Sequence, residues 1–162
     1  VGLYGVSDGV EDWIKSRVFD VLSTRFNLLS SSAERGLVRQ AAALHMSVIS
    51  FEPIPHQFPK AQTPANRTIG GLFGFGRVRS EAAVDDAYGF LTRTREWQAE
   101  DICLAYALTE PSVATLQIGA ESVGRLEAIA LIPERDLPPN LPAQIEMARF
   151  GSLSQFDRRR NA

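Results

Sequence analysis

Residues 105–127, AYALTEPSVATLQIGAESVGRLE, hold the pattern from which the fold is predicted. Apolar side chains repeat at helical spacing over residues 99–108, which predicts a helix that ends inside this stretch. Residues 114–118 then predict a strand, and Gly119-Ala120 leads from that strand into a second helix over residues 122–131. A helix, a strand and a helix in this order are typical of an α/β protein.

The residues before and after this stretch continue the alternation of strands and helices. Three further strands are predicted over residues 1–7, 19–24 and 47–51, the last of them rich in β-branched side chains. Four strands that alternate with helices predict right-handed βαβ units and a parallel sheet. An eight-unit barrel needs about 250 residues, so half a barrel suits the length, and an open four-stranded sheet is the alternative. The further helices are predicted over residues 10–18, 31–46, 81–95 and 144–150.

Two of these helices carry features that predict how they are placed. Over residues 10–18, the apolar Trp13, Ile14 and Val18 are predicted to fall on one helical face, with the charged residues elsewhere. Ser31 and Ser32 are expected to cap the helix that follows them, because a serine hydroxyl accepts a hydrogen bond from the first helical turn.

The composition is that of one soluble globular domain over residues 1–162, because 44% of the residues are hydrophobic and only 22% are charged. Residues 53–80 interrupt this domain with a long loop rich in proline and glycine. Loops of this length are typical of lids and binding loops or of disordered segments, and both interpretations stay open. The glycines of GLFGFG at residues 71–76 lack the Lys-Ser/Thr pair of a phosphate-binding P-loop, so they predict a flexible loop. The alternative is that Phe73 and Phe75, between these glycines, are anchors for a partner.

Charge and cysteine content argue against several kinds of partner and location. The net charge of −2 and the pI near 5.7 give no general attraction to polyanions, so nucleic acid is not an expected partner. The lone Cys103 cannot form an internal disulfide, and no secretory signal is recognisable, which predicts a cytoplasmic protein. No apolar run approaches the roughly 20 residues that cross a bilayer, so no membrane span is expected.

Four blocks, in the correct order, resemble the aldo-keto reductases. YGVSDG in the first strand is similar to the Gly-Val-Ser-Asn of that family's fifth strand, and DVLSTRFNLL at residues 20–29 resembles its sixth strand and Asn-Leu-Leu exit. Residues 37–54 resemble the sixth helix and seventh strand. Residues 105–127 resemble a helix, the Pro-x-Val turn, the eighth strand and the Gly-Ala-x-Ser helix start. The resemblance implies the C-terminal half of a TIM-type (β/α)8 barrel, strands five to eight.

The same resemblance implies that no catalytic residue lies in this chain. The family uses an Asp, a Tyr, a Lys and a His from the first half of its barrel, with the Tyr as proton donor beside the carbonyl that receives hydride. His45 and His56 do not replace these groups. His45 is expected in the core or at a helix end and His56 at the surface, and no metal-ligand cluster is predicted.

The family binds a nicotinamide dinucleotide through the half of the barrel that this chain resembles. Ser7 is retained where a Ser-Asn pair holds the nicotinamide amide, but Asp8 replaces the Asn. Ser23 stands in the place of a Gln that binds the same amide. Phe51 stands in the place of an aromatic residue that stacks on the nicotinamide ring, and a packed strand residue is an equally good interpretation of it.

Negative charge stands where the resemblance places the cofactor phosphates. Glu52 begins a Glu-Pro-Ile that replaces the Ser-Pro-Leu near the pyrophosphate, and Glu121 replaces the basic residue near the 2′-phosphate. The helix start at Ser122 and the side chain of Arg125 still offer attraction to phosphate. NADP or NAD is therefore the implied cofactor, with binding that is weak or lost. The implied cofactor-binding positions are Ser7, Asp8, Ser23, Phe51, Pro53, Ile54, Gly119, Glu121, Ser122 and Arg125.

Two functional hypotheses follow from the resemblance. The favoured one is an aldo/keto reductase-like protein without the catalytic tetrad that serves as a binding or assembly subunit. The alternative is the C-terminal, cofactor-binding part of a complete NAD(P)H-dependent oxidoreductase whose N-terminal half lies outside this sequence. In either case the expected partner is a second copy or another protein chain that covers the open barrel edges, since uncovered strand edges and apolar faces favour association.

Overall fold

The computed structural model describes residues 1–6, 9–56 and 87–160, with side chains described as far as residue 151. The chain divides into two compact units. The first contains Val1–Pro55 and Cys103–Leu137, and the second contains the described parts of His56–Ile102 and Pro138–Ala162. The prediction of one domain over residues 1–162 stays a prediction, and most of the loop predicted over residues 53–80 lies outside the described residues.

The first unit is built on the predicted sheet of four parallel strands. β1 (Gly2–Tyr4), β2 (Val21–Arg25), β3 (Ser47–Phe51) and β4 (Thr115–Leu116) follow one another in the order of the sequence. β3 has the predicted bounds, because its β-branched run suits a central strand. β4 is shorter than predicted, although hydrogen bonds from the amides of Ala114 and Gln117 to β3 continue the ladder on both sides of it.

The helices alternate with the strands as predicted, with changes at their ends. α3 has the predicted bounds, and α4 differs from its prediction by one residue at each end. α5 begins three residues earlier than predicted, because Pro142 is tolerated in a first helical turn, and it is longer. The described end of the helix predicted over residues 81–95 contains a 3₁₀ helix, Leu91–Arg93. The bounds are α1 Val10–Lys15, α2 Ser32–Ala43, α3 Ala99–Leu108, α4 Val123–Ala130 and α5 Leu141–Arg160, with a second 3₁₀ helix at Ile132–Glu134.

The two ends of α2 show why this segment is helical. At its start Ser31 Oγ accepts a hydrogen bond from the Glu34 amide at 3.2 Å, and Glu34 Oε2 accepts one from the Ser31 amide at 2.7 Å. This reciprocal capping box confirms the predicted serine cap. At the other end the exposed His45 has a φ of +64°, and the amides of His45 and Met46 donate to carbonyls in the last helical turn. His45 is therefore a helix-end residue, as expected.

The core lies on one face of the sheet, between the strands and the helices α1 and α2. Leu22 and Val48 occupy neighbouring positions on β2 and β3, and both are fully buried against Ile14 of α1 and Val38 of α2. Alternation along the strands directs the intervening side chains to the opposite face, which is half-exposed or exposed. We call this second surface, formed by Tyr4, Ser23, Ile49, Phe51 and Thr115, the open face.

The predicted apolar face of the first helix is wrong in part. Ile14 is fully buried, but Trp13 is 57% exposed and Val18 is 64% exposed. α1 ends at Lys15 and Arg17 has a φ of +57°, so Val18 lies beyond the helix and does not share its face. Val10, one helical turn before Ile14, is the second buried residue of α1.

Candidate functional site

The described site positions lie at the carboxyl end of the sheet, in β2 (Ser23) or in the first turn of α4 (Arg125). Phe51 is the last residue of β3, and Pro53 and Ile54 follow it directly. Gly119, Glu121 and Ser122 lie between β4 and α4. In parallel α/β folds the carboxyl ends of the strands form the ligand-binding edge. Ser7 and Asp8 follow β1 in the sequence but lie outside the described residues.

Phe51 is stacked on another aromatic ring of the chain. The ring centroids of Tyr4 and Phe51 lie 5.0 Å apart with an interplanar angle of 19°. Tyr4 is a register partner of Ser23, and Ser23 is in turn a partner of Ile49, so the two rings come from strands on either side of β2. Tyr4 is not among the predicted site residues, although its alternation with Leu3 places it on the open face.

A polar network joins the loop after β2 to the turn after β3. Asn27 Nδ2 donates to the Glu52 carbonyl at 3.0 Å, while Asn27 Oδ1 accepts from the Leu29 amide at 3.0 Å. Ser50 Oγ donates to the Phe26 carbonyl at 2.9 Å. Glu52 has a φ of +50°, which is unusual for a residue with a side chain. The network therefore ties together the two chain segments that surround Phe51. Asn27 and Ser50, its members, are not among the predicted site residues.

A buried arginine of α2 donates hydrogen bonds to the loop after β2. Arg35 of α2 is 8% exposed, and its Nε donates to the Ser30 carbonyl at 3.0 Å. Its Nη2 donates to the Tyr106 hydroxyl at 3.1 Å and lies 3.5 Å from the Leu28 carbonyl. The guanidinium also lies 5.3 Å from the ring centroid of Phe26 and 5.7 Å from that of Tyr106. Charge-assisted hydrogen bonds and cation–π contacts thus hold the loop to α2 and α3.

Two carboxylates near α2 are paired with arginines. Arg25 Nη2 lies 2.8 Å from Glu34 Oε1, and Arg39 Nη2 lies 2.9 Å from Glu110 Oε2. Burial acts to raise the pKa of Glu34, but the hydrogen bonds from Arg25 and Ser31 outweigh it and lower this pKa overall. Burial also acts to raise the pKa of Glu110, but the hydrogen bonds from Arg39 and Ser112 and the charge of Arg39 outweigh it and lower this pKa overall. Both groups are therefore ionised near neutral pH.

The start of α4 is the implied phosphate position. The Oγ of Ser122 caps this helix by accepting a hydrogen bond from the Arg125 amide at 3.2 Å. Glu121 and Ser122 are exposed, so water screens their interactions with a ligand. A helix start attracts anions by about 0.3–1 kcal/mol, and a carboxylate beside it opposes that attraction.

Glu121→Arg is expected to strengthen NADPH binding about three- to tenfold and NADH binding much less, because only NADPH carries the 2′-phosphate. Fluorescence titration of both dinucleotides measures the two affinities. Glu127→Arg is the matched control, since it makes the same charge change at an exposed position inside α4, away from the helix start. Tight NADPH binding by the unmutated chain, or an equal gain from Glu127→Arg, would contradict the expected repulsion.

Comparison with solved structures finds aldo-keto reductase barrels. The chain is similar to aldo-keto reductase AKR11C1 from Bacillus halodurans in its holo form, with a TM-score of 0.65 and 16% identity over 91% of this chain and 49% of that one. For the thermostable aldo-keto reductase Tm1743, in complex with epalrestat, the TM-score is 0.58 with 12% identity over 91% and 47% of the two chains. For glycerol dehydrogenase AKR11B4 from Gluconobacter oxydans the TM-score is 0.59, with 15% identity over 91% of this chain and 47% of that one. No protein-family model and no curated protein matches the chain.

These similarities establish the fold. The four parallel strands that alternate with helices match part of an aldo-keto reductase TIM barrel, which confirms the predicted fold class. The chain spans about half the length of these barrels. At identities of 12–16% the comparison does not transfer activity or ligands to this chain.

The described residues do not fit a nicotinamide dinucleotide well. The ring of Phe51 is in contact with Tyr4, and carboxylates stand at positions 52 and 121, where the cofactor phosphates are implied. The described residues contain no group of three or more His, Cys, Asp or Glu placed to hold a metal ion. Among the described helices none is long and apolar enough to span a membrane.

Proposed function

We propose that this chain is an aldo-keto reductase-like half-barrel without the catalytic tetrad, and that it serves as a binding or assembly subunit. The observation that carries the proposal is the exposure of α4. None of its residues is buried, and Val123 and Leu126 are 73% and 53% exposed. Apolar side chains that are exposed together on one helix favour a protein partner.

The open face and the strand edges support the same proposal. β1 and β4 are the two outermost strands of the described sheet, and in an eight-stranded barrel each would pair with a further strand. Tyr4 is 72% exposed on the open face, and Ile118, just after β4, is also exposed. A complementary four-stranded unit, from a second copy or from another chain, would cover these surfaces together. We place this assembly in the cytoplasm.

The purified chain is expected to show no oxidation of NADPH or NADH with common aldehydes. The resemblance places the tyrosine proton donor and its lysine partner in the half of the barrel that this chain does not match, and a poor fit to the dinucleotide lowers any residual rate further. Loss of absorbance at 340 nm measures the rate, with a buffer blank and a competent aldo-keto reductase as controls. Steady turnover above the blank would contradict the non-catalytic role.

The second candidate function is the cofactor-binding part of a complete NAD(P)H-dependent reductase. The observation that favours it is length, because the similar barrels are about twice as long as this chain. The encoded sequence upstream of Val1 distinguishes the two candidates. A preceding series of strands that carries an Asp, a Tyr, a Lys and a His would support the reductase and contradict the assembly subunit.

A further inference from the structure

Tyr4 and Phe51 form a directly stacked aromatic pair on the open face. Aromatic pairs in proteins have centroids about 4.5–7 Å apart, so at 5.0 Å and 19° the two rings are in direct stacking contact. No third ring fits between them at this separation. A flat ligand that stacks on this face of Phe51 must therefore displace Tyr4.

The register of the sheet explains how two rings on β1 and β3 come together. Neighbouring strands lie about 4.8 Å apart, so side chains two strands apart are normally too distant to stack unless they lean toward each other. On β2, Ser23 is the register partner of Tyr4 and Arg25 is that of Phe51, so the two rings meet diagonally across the space above β2. Ser23 has a short side chain, and the guanidinium of Arg25 is paired with Glu34 at 2.8 Å. Leu3 packs against the core on the other side of the sheet, so alternation turns Tyr4 toward this space.

We propose that Tyr4 occupies the place of a ligand ring on Phe51 and thereby determines whether a nicotinamide ring can stack there. This inference rests on the cofactor-binding edge implied by the resemblance to aldo-keto reductases. Tyr4 is 72% exposed in this chain, so displacing its ring does not open the core. A ligand that displaces it loses the energy of one aromatic pair, which corresponds to an affinity about three- to tenfold weaker.

The test is a titration with reduced nicotinamide mononucleotide, which contains the nicotinamide end of the cofactor without the adenosine. Tyr4→Ala is expected to bind this probe about three- to tenfold more tightly than the unmutated chain. Tyr4→Phe is the matched control, because it keeps the ring and removes only the hydroxyl, and its affinity should not change. Adding Phe51→Ala to Tyr4→Ala should abolish the gain. If Tyr4→Ala binds no more tightly than the unmutated chain, including the case in which neither binds, the proposal is overturned.

A second probe separates this effect from a general change in the protein. Adenosine 2′,5′-bisphosphate carries the adenine end alone, so its affinity should be the same in all variants. If Tyr4→Ala bound both probes more tightly by the same factor, the proposal would be overturned, because the substitution would then have changed the carboxyl end of the sheet as a whole. The assembly proposal is tested separately, by the mass of the unmutated chain in solution. Its failure is therefore distinguishable from failure of the proposal about Tyr4.

Discussion

Light scattering of the purified chain at low micromolar concentration is expected to give at least twice the monomer mass of 17.8 kDa. In the described part of the chain β1 pairs with β2 alone and β4 with β3 alone, so each outermost strand presents backbone donors and acceptors on its other side. Burial of the apolar side chains on the open face and on α4 contributes about 25 cal/mol for each Å² removed from water. Both effects favour association.

Leu126→Lys is expected to weaken this association at least tenfold, because it places a charge in the centre of the exposed apolar surface of α4. Val18→Lys is the matched control, since Val18 is also more than half exposed but lies before β2, at the amino end of the sheet. Its mass distribution should match that of the unmutated chain. A stable monomer of the unmutated chain, or equal effects of the two substitutions, would contradict the proposed assembly surface.

Arg35→Met is expected to lower the free energy of unfolding by about 2–3 kcal/mol. Methionine fills much of the same volume, but it cannot donate hydrogen bonds to the Ser30 carbonyl or to the Tyr106 hydroxyl. Buried acceptors that lose their donor keep the cost of desolvation, and the contacts with the Phe26 and Tyr106 rings also lose their charge.

Urea unfolding measures the loss, with the midpoint and the slope fitted separately. Tyr106→Phe removes one of these hydrogen bonds and should cost about 1 kcal/mol. Arg93→Met is the matched control at an exposed position, where the change should stay within about 0.5 kcal/mol. A loss for Arg35→Met no larger than that of Arg93→Met would show that the network does not stabilise the fold.

Local signals predict the elements that match the structure best. The β-branched run of Ser47–Phe51 and the apolar helix Ala99–Leu108 have their predicted bounds. Ser31 starts α2 as expected, because its capping partner Glu34 is only three residues away. The predictions fail where a residue with a positive φ changes the direction of the chain, as Arg17 does after α1. Amphipathic spacing alone does not show where a short helix ends.

The candidate site was predictable as a set of positions but not as a set of contacts. The structure places Phe51 at the carboxyl end of its strand and Ser122 at the start of α4, as expected. It also adds Tyr4, Asn27 and Arg35, which are not among the predicted site residues. Arg35 and Tyr106 are 71 residues apart, and no local pattern indicates that they share a hydrogen bond.

The sequence by itself determined the alternation of strands and helices and the parallel order of the sheet, because these depend on periodicity, caps and the right-handed βαβ connection. Only the tertiary structure decided that Tyr4 covers Phe51 and that α4 stays exposed. Stacking across β2 depends on the register of three strands, which sets Ser23 beside Tyr4 and Arg25 beside Phe51. The exposure of an apolar helix depends on which neighbours are present to cover it, and periodicity carries no information about them.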